Sequence, residues 1–527
     1  MNATIQKRDA VAGTATWCLA VLLAVVGANL AASGSLRNTA VIVAGFVGLI
    51  LLLRPVLALW FIIIGGLVLA GVTQLYAPQL QFVRWSIGLL ASLLGAIALC
   101  KYFFQEAGSR RKYLPPLFWW MAAFLAVAVV SGLLNYRNAN TLLFGFKGYF
   151  QAWGLFFALL MMGWSEKTVN RISKVLIGIA FLQVPFALHE YLYLVPGRRY
   201  LGNGVVAEDV VAGTLGASPT GGGANAVLSA VLLITVAILV SLYKRKRMSW
   251  RGLFGAVVIL LVPVVLNANK IALVYLIIIF LMLFSRELWR KPISTLLIGM
   301  VSAVFFSAIL WSYTTLLSRS DEDRTWQSYI EQAVIQNTSR THGHGGYALN
   351  RWTAVSFWVD EHRGASLDKL FFGHGVGAAR DGGDGAFDVR TLASGPYAGM
   401  GIGLTTISAV LWEMGLVGLI LLFGIFWAAV RSAGWLVRYY EADAWKAAVF
   451  EGLRVGVVIL GIGWFFQASF VFLLPYQTLF LLIVGYLGYW HAKAIRGSGR
   501  SERNQPVADS ERQTSRPATA PPALESQ

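Results

Sequence analysis

Charge is what this chain has least of. Only 13% of its 527 residues are Asp, Glu, Lys or Arg, against 57% hydrophobic, where soluble domains carry about a quarter charged. That shortage excludes an ordinary soluble fold. Cysteine is nearly missing as well. Cys18 and Cys100 are the whole complement and both fall in apolar runs, which argues against a disulfide framework or a cysteine-based metal site. No internal repeat stands out, and no long low-complexity segment precedes the C-terminal tail. What remains is a succession of apolar windows of about 17–25 residues, the length that crosses the ~30 Å hydrocarbon layer. The chain reads as an all-α polytopic membrane protein.

The net charge of +18 would suit nucleic acid, but its placement argues against that partner. Lys and Arg gather in short connections such as "SRRK" (109–112), "KRKR" (244–247) and "SRELWRK" (285–291), as the positive-inside rule expects of cytoplasmic loops. About fourteen spans (12–14) follow from window length, near 11–31, 39–53, 56–74, 84–102, 115–134, 142–163, 172–194, 223–243, 252–267, 270–284, 293–314, 401–430, 447–467 and 473–490. The run after Lys7 and Arg8 is expected to stay as a first helix, because the next apolar span follows within a few residues. With both termini cytoplasmic, every basic connection falls inside. The tail 491–527, rich in Ser, Arg, Pro, Glu and Gln, is expected to be disordered.

The chain then divides into N-terminal helices (1–314, with a periplasmic loop at 195–222), a large periplasmic loop (315–400) and C-terminal helices (401–490). The large loop has eight basic residues, ten acids and four of the six histidines. A connection of that length and polarity is more than a link. Within it "NRWTAVSFWVDEH" predicts a short helix capped by Asn350. Arg351 and His362 then share one face with Val355 and Trp358, about 20° apart at 3.6 residues per turn. Such a helix either lies on the membrane surface or caps the bundle with its charges solvated. "FFGHGVGAAR" (371–380) follows, a glycine turn that serves either as plain structure or as an anion-binding nest. "HGHGG" (342–346) invites a metal reading, but no matching carboxylate or cysteine set accompanies it; no metal or other cofactor is expected.

Lys147 in "FGFKGYFQ" and Lys270 in "LNANKIALVYL" stand near the outer ends of spans. They either snorkel to headgroups or serve a function. His189 and Glu190 share that level, followed by Arg198 and Arg199. Lys147, Arg198, Arg199, Lys270 and Arg351 thus surround one outer-leaflet zone, where a diphosphate-bearing lipid would suit them, since guanidinium forks match phosphate oxygens.

Three segments resemble the bacterial O-antigen polymerase and O-antigen ligase superfamily over about residues 120–490. "LNANKIALVYLIII" is similar to a family span that opens on Ser-Arg, with Lys270 where Arg is usual. "NRWTAVSFWVDEH…LFFGHGVGAAR" resembles the periplasmic arginine helix and its glycine turn. "LTTISAVLWEMGLVGLILLF" (404–423) resembles the span after the loop. The resemblance implies a GT-C-type, metal-independent, inverting glycosyltransferase of the inner membrane. Its donor would be an undecaprenyl-diphosphate-linked oligosaccharide and its acceptor a growing polysaccharide, with a chain-length regulator and a flippase as expected partners. It implies that Arg351, His362 and His374 carry catalysis and that the five cations hold the diphosphate, with the base open among His362, His374, His189 and nearby acids. The ligases carry a His-Asn pair before the post-loop span, and "GIGLTTIS" (401–408) has neither residue, which favours a polymerase for an exopolysaccharide, capsule or O-antigen. A ligase acting on lipid A-core or another acceptor is the alternative. A polytopic lipid or sugar transporter or flippase is the alternative of another class.

Overall fold

A computed structural model of the protein describes residues 47–77, 82–104, 113–136, 139–198, 211–216, 224–267, 269–290, 337–339, 343–344, 346–380 and 389–503, with a few isolated positions between them. Among these the chain is helical and contains no strand. The long elements are α1 (Pro55–Tyr76), α2 (Phe82–Phe103), α3 (Pro116–Leu134), α4 (Ala139–Phe150), α5 (Trp153–Met161), α6 (Glu166–His189), α7 (Ala224–Lys244), α8 (Trp250–Leu266) and α9 (Ile271–Arg290). The loop region adds α10 (Arg351–Glu361) and α11 (Leu367–Phe372), and α12 (Thr406–Tyr439), α13 (Ala444–Phe466) and α14 (Leu474–Arg503) complete the set.

Eight of the helices are long and apolar enough to cross a membrane, or nine with α4 and α5 taken as one span bent by 54°. The protein is therefore a multi-pass membrane protein. α8 and α9 add two shorter apolar helices where spans were expected. The expected span 11–31, all but two positions of 293–314, and the start of 39–53 lie outside the described residues. So does 504–527.

Local chemistry explains the helix starts. Pro55 and Pro116 stand at first helical positions, where a missing N–H leaves no bond unmade. Ser165, Ser249 and Asp443 accept from backbone N–H groups of the first turns of α6, α8 and α13, which relieves the orphan donors there. α7 is the axis of the bundle, with 89% of its most apolar window buried. Gly452 and Gly456 of α13 let that helix close onto α7, since a Cβ on either would stand 2.3 and 3.0 Å from side-chain atoms of Ile238 and Ile234. Such small residues supply the contact where lipid removes the usual hydrophobic drive. Exposed Leu89, Leu133, Ile420 and Trp427 then face lipid.

Three expectations change. The helix expected at 401–430 starts at Thr406, behind a capping box between Thr405 and Ser408, and runs to Tyr439. The last helix continues past 490 to Arg503, so the expected tail begins as helix. And the interval 195–222 is not all an open loop. Its described segment 211–216 is buried: Glu190 Oε2 accepts from the N–H groups of Ala212 and Gly213 at 2.8 Å, and Gln183 Oε1 accepts from Thr214 N at 2.8 Å. A buried loop must have its backbone groups met, and these two side chains meet them. Sequence reading saw Glu190 only as one more ionisable group at a helix end.

Side-chain contacts sort the helix ends. Lys244 reaches Leu283 O and Glu287, Arg245 pairs with Glu451, and Lys493 pairs with Glu166, which gathers ends of α6, α7, α9, α13 and α14 at one end. The opposite end carries α10, α11 and the glycine turn.

Candidate functional site

At the loop end, α12 is broken. Gly415 has φ 64° and ψ −161° inside the helix, a region open almost only to glycine. The break frees carbonyls one turn back, and the turn 373–375 fills the gap. His374 N donates to Trp412 O at 2.8 Å and Gly375 N to Glu413 O at 3.2 Å. Ser131 Oγ of α3 lies 2.6 Å from both Glu413 O and Phe372 O, with one proton to donate between them. The Glu413 carboxylate, fully buried, accepts from Ala379 N at 3.0 Å. Among the described residues its second oxygen has no partner at hydrogen-bond length, and the buried Tyr149 hydroxyl is its polar neighbour. "FFGHGVGAAR" is thus a structural splice into a broken helix. The anion-nest reading gains no support, because the N–H groups of His374, Gly375 and Ala379 are spent on α12.

α10 starts where Asn350 caps it, as expected: its side chain accepts from Trp352 N and Thr353 N, and Thr353 Oγ1 accepts from Asn350 N. This fixes Arg351 in the first turn. Its guanidinium is used on three sides. Nε donates to Phe466 O at 2.6 Å, one terminal nitrogen donates to Asn337 Oδ1, and the other lies 3.0 Å from His344 Nε2. A guanidinium only donates, so His344 accepts there and its ring is neutral. Burial, then the charges of Arg351 and Lys270, push the His344 pKa down to about 4. Lys270, just before α9, is therefore within electrostatic reach of His344. His344 is the residue that sequence reasoning missed as a reactant. It surfaced there only inside the "HGHGG" metal reading. Among the described residues no three His, Cys, Asp or Glu side chains converge on a metal position.

The other expected site residues lie elsewhere. His362 caps the far end of α10, and eleven residues at 1.5 Å each separate it from Arg351 by about 16 Å along the axis. The shared face expected of this pair does not make a shared site. His362 Nδ1 lies 2.8 Å from Trp358 O, and its Nε2 lies 3.0 Å from His374 Nε2. The carbonyl requires a proton on Nδ1 of His362, so a single proton bridges the two Nε2 atoms, donated by His374. Trp358 stacks on His362 at 4.5 Å and Trp412 meets both rings. Lys147 Nζ stands 3.1 Å from the centre of the Trp85 ring. Arg380, one of the eight basic residues of the large loop, lies over Phe144 and Phe472 at 4.2 and 5.0 Å. His189 Nδ1 meets Tyr76 Oη at 2.8 Å, and its ring stacks on Tyr193. Arg198 ends a short turn after α6 with its side chain outside the described set, and Arg199 lies outside the described residues altogether.

Of the expected cations, then, the structure sets Arg351 on a neutral imidazole, with Lys270 within electrostatic reach of it. Two cations beside a neutral base can hold an anionic leaving group and take a proton within one small volume. A scan against protein-family models finds no match to this chain, and a search of curated proteins finds none.

Proposed function

We propose that the chain is a polysaccharide polymerase of the bacterial inner membrane, a metal-independent inverting glycosyltransferase of about fourteen spans in the GT-C manner. It would transfer undecaprenyl-diphosphate-linked repeat units to an acceptor glycan at the periplasmic face. The observation that carries this reading is the contact of Arg351 with a neutral His344 that also feels the charge of Lys270. In the reaction, the acceptor hydroxyl oxygen attacks the anomeric carbon of the donor sugar. The bond from that carbon to the diphosphate oxygen breaks, and its electron pair leaves with the diphosphate. Arg351 and Lys270 offset the charge that develops there. When the diphosphate engages the guanidinium, His344 Nε2 is released from Arg351 and takes the hydroxyl proton, a role worth roughly 10²–10⁴ in rate. His362 and His374, about 16 Å away along α10, take no part in this step.

The pH profile tests His344. Its protonated form is disfavoured by burial and by two cations, so the ring stays neutral at pH 7 and protonates only near pH 4. Activity should hold as pH falls and fail towards that value. Lys270→Ala removes one repelling charge, so the acid limb should move to higher pH, towards the ordinary histidine value of about 6.5. An unmoved acid limb in an active Lys270→Ala enzyme would exclude His344 as the base. Because two broken spans also suit a lipid or sugar transporter, the assay belongs in detergent, where chain growth proceeds and transport has no compartments.

Sidedness has its own test. Ser366 and Ser249 are both exposed, at opposite ends of the bundle. In intact spheroplasts, Ser366→Cys should react with an impermeant thiol reagent and Ser249→Cys should not. The reverse pattern would place the candidate site in the cytoplasm.

A further inference from the structure

α11 reads LDKLFF, four of its six residues apolar, yet none of its side chains is buried. Leu367 is 70% exposed and Phe371 41%. At about 100° per residue, Leu367, Leu370 and Phe371 share an arc of about 100°, with Lys369 on the far side. The depth of this arc follows from α3. That helix has 19 residues, about 28 Å at 1.5 Å each, just the thickness of the hydrocarbon layer. Its last turn therefore lies at the edge of the layer, and exposed Leu133 and Leu134 carry its lipid-facing surface up to that edge. α11 is bonded to this same turn. Ser131 Oγ lies 2.6 Å from Phe372 O, Asn135 Nδ2 donates to Gly373 O at 3.2 Å, and Lys369 Nζ donates to Asn135 Oδ1. α12 gives the same level. A Cβ on Gly424 would touch the Trp120 ring, and Ser131 meets Glu413 O, so α3 and α12 run antiparallel in step. From Glu413 α12 rises seven residues further, to Thr406, about 10 Å beyond the edge. The start of α12 stands above the membrane, and α11 sits at its boundary.

We infer that α11 is an interfacial anchor, with Leu367 and Phe371 seated in the lipid of the leaflet at the loop end of the bundle, where headgroups meet acyl chains. An apolar helix face at that depth meets lipid as its solvent. Lys369 is turned to Asn135 instead, and exposed Asp368 and Arg363 suit the headgroups. The anchor acts on both of its neighbours. Its backbone closes the break in α12, where a Cβ on Gly415 would touch the Phe371 carbonyl, so the bilayer backs the glycine turn. Only residues 362–366 separate it from α10, so it holds that helix within short reach of the headgroups. The large loop is therefore not wholly clear of the membrane, as its polarity alone suggests.

The test uses the full chain with Cys18→Ser and Cys100→Ser, in vesicles of phosphatidylethanolamine and phosphatidylglycerol, with a spin label on one introduced cysteine at a time. Oxygen concentrates in hydrocarbon and a nickel chelate stays in water, so the ratio of their collision rates with the label reads depth. Leu133→Cys is the lipid-facing reference and Arg363→Cys the water-facing one. Labels at Leu367→Cys and Phe371→Cys should favour oxygen several-fold over the Arg363→Cys label and approach the Leu133→Cys value. The Asp368→Cys label should stay with Arg363→Cys. Leu367 is so exposed that its replacement should leave the melting temperature unchanged, and it decides alone if Phe371→Cys melts early. Nickel reaching the Leu367→Cys label as readily as the Arg363→Cys label would overturn the inference. A Leu367→Cys label shielded from both reagents would overturn it as well, because protein would then cover the face in place of lipid.

Discussion

Arg351→Ala should lower polymer formation by roughly 10²–10³-fold, the usual effect of removing one preorganised donor from a developing anion, while the protein still inserts and accumulates. Cells should carry single repeat units, or none, in place of long chains. Two losses combine in this variant. The diphosphate loses a planar fork of donors, and His344 loses one of the two charges that hold its proton off. Arg351→Lys should be partly active, because a point charge keeps the attraction and loses the geometry. The side chain also ties α10 to Phe466 O at the end of α13, so a melting curve should accompany the assay. A loss of turnover with an intact melt isolates the chemical role. Polymer of normal length and amount from Arg351→Ala would reduce this helix to scaffold. His362→Ala and His374→Ala should retain the chemical step at substantial rate, which separates them from His344→Ala.

The second large effect belongs to the break in α12. Gly415→Ala asks a side chain to enter a backbone region that costs about 1–3 kcal/mol, and its Cβ would stand 2.5 Å from the Phe371 carbonyl. Backbone cannot yield there as a flexible side chain would. The total should exceed about 3 kcal/mol, near the top of what single substitutions do. Yield after solubilisation should fall sharply and the surviving protein should melt earlier. Gly434→Ala is the control in the same helix. Its Cβ would meet Arg454 at an ordinary 3.6 Å, and alanine is the better helix former by about 1 kcal/mol. A Gly415→Ala protein with full yield and unchanged melting would mean that the break does not hold the glycine turn in place.

The spans were legible in the sequence because crossing lipid is a local demand: a run of apolar residues either has the length or lacks it. α1, α3, α7 and α13 appear within a few residues of their expected bounds. The start of α10 was legible for a similar reason, since the Asn350 cap acts across three residues. The bend between α4 and α5 and the break in α12 were not, because a glycine inside an apolar run is spelled the same way whether it packs or unwinds. Gly415 unwinds only because residues 371–375 arrive to satisfy what the break exposes. Sequence could name Arg351 and Lys270 as cations near one membrane face, and His362 as a helical neighbour of Arg351. It could not say that Lys270, dozens of residues earlier, comes within electrostatic reach of His344, or that the length of α10 parts Arg351 from His362. Charge and hydropathy are properties of residues and survive in the string of letters. Which cations meet, and which imidazole stays neutral between them, is decided by how α9, α10 and α13 pack at one end of the bundle.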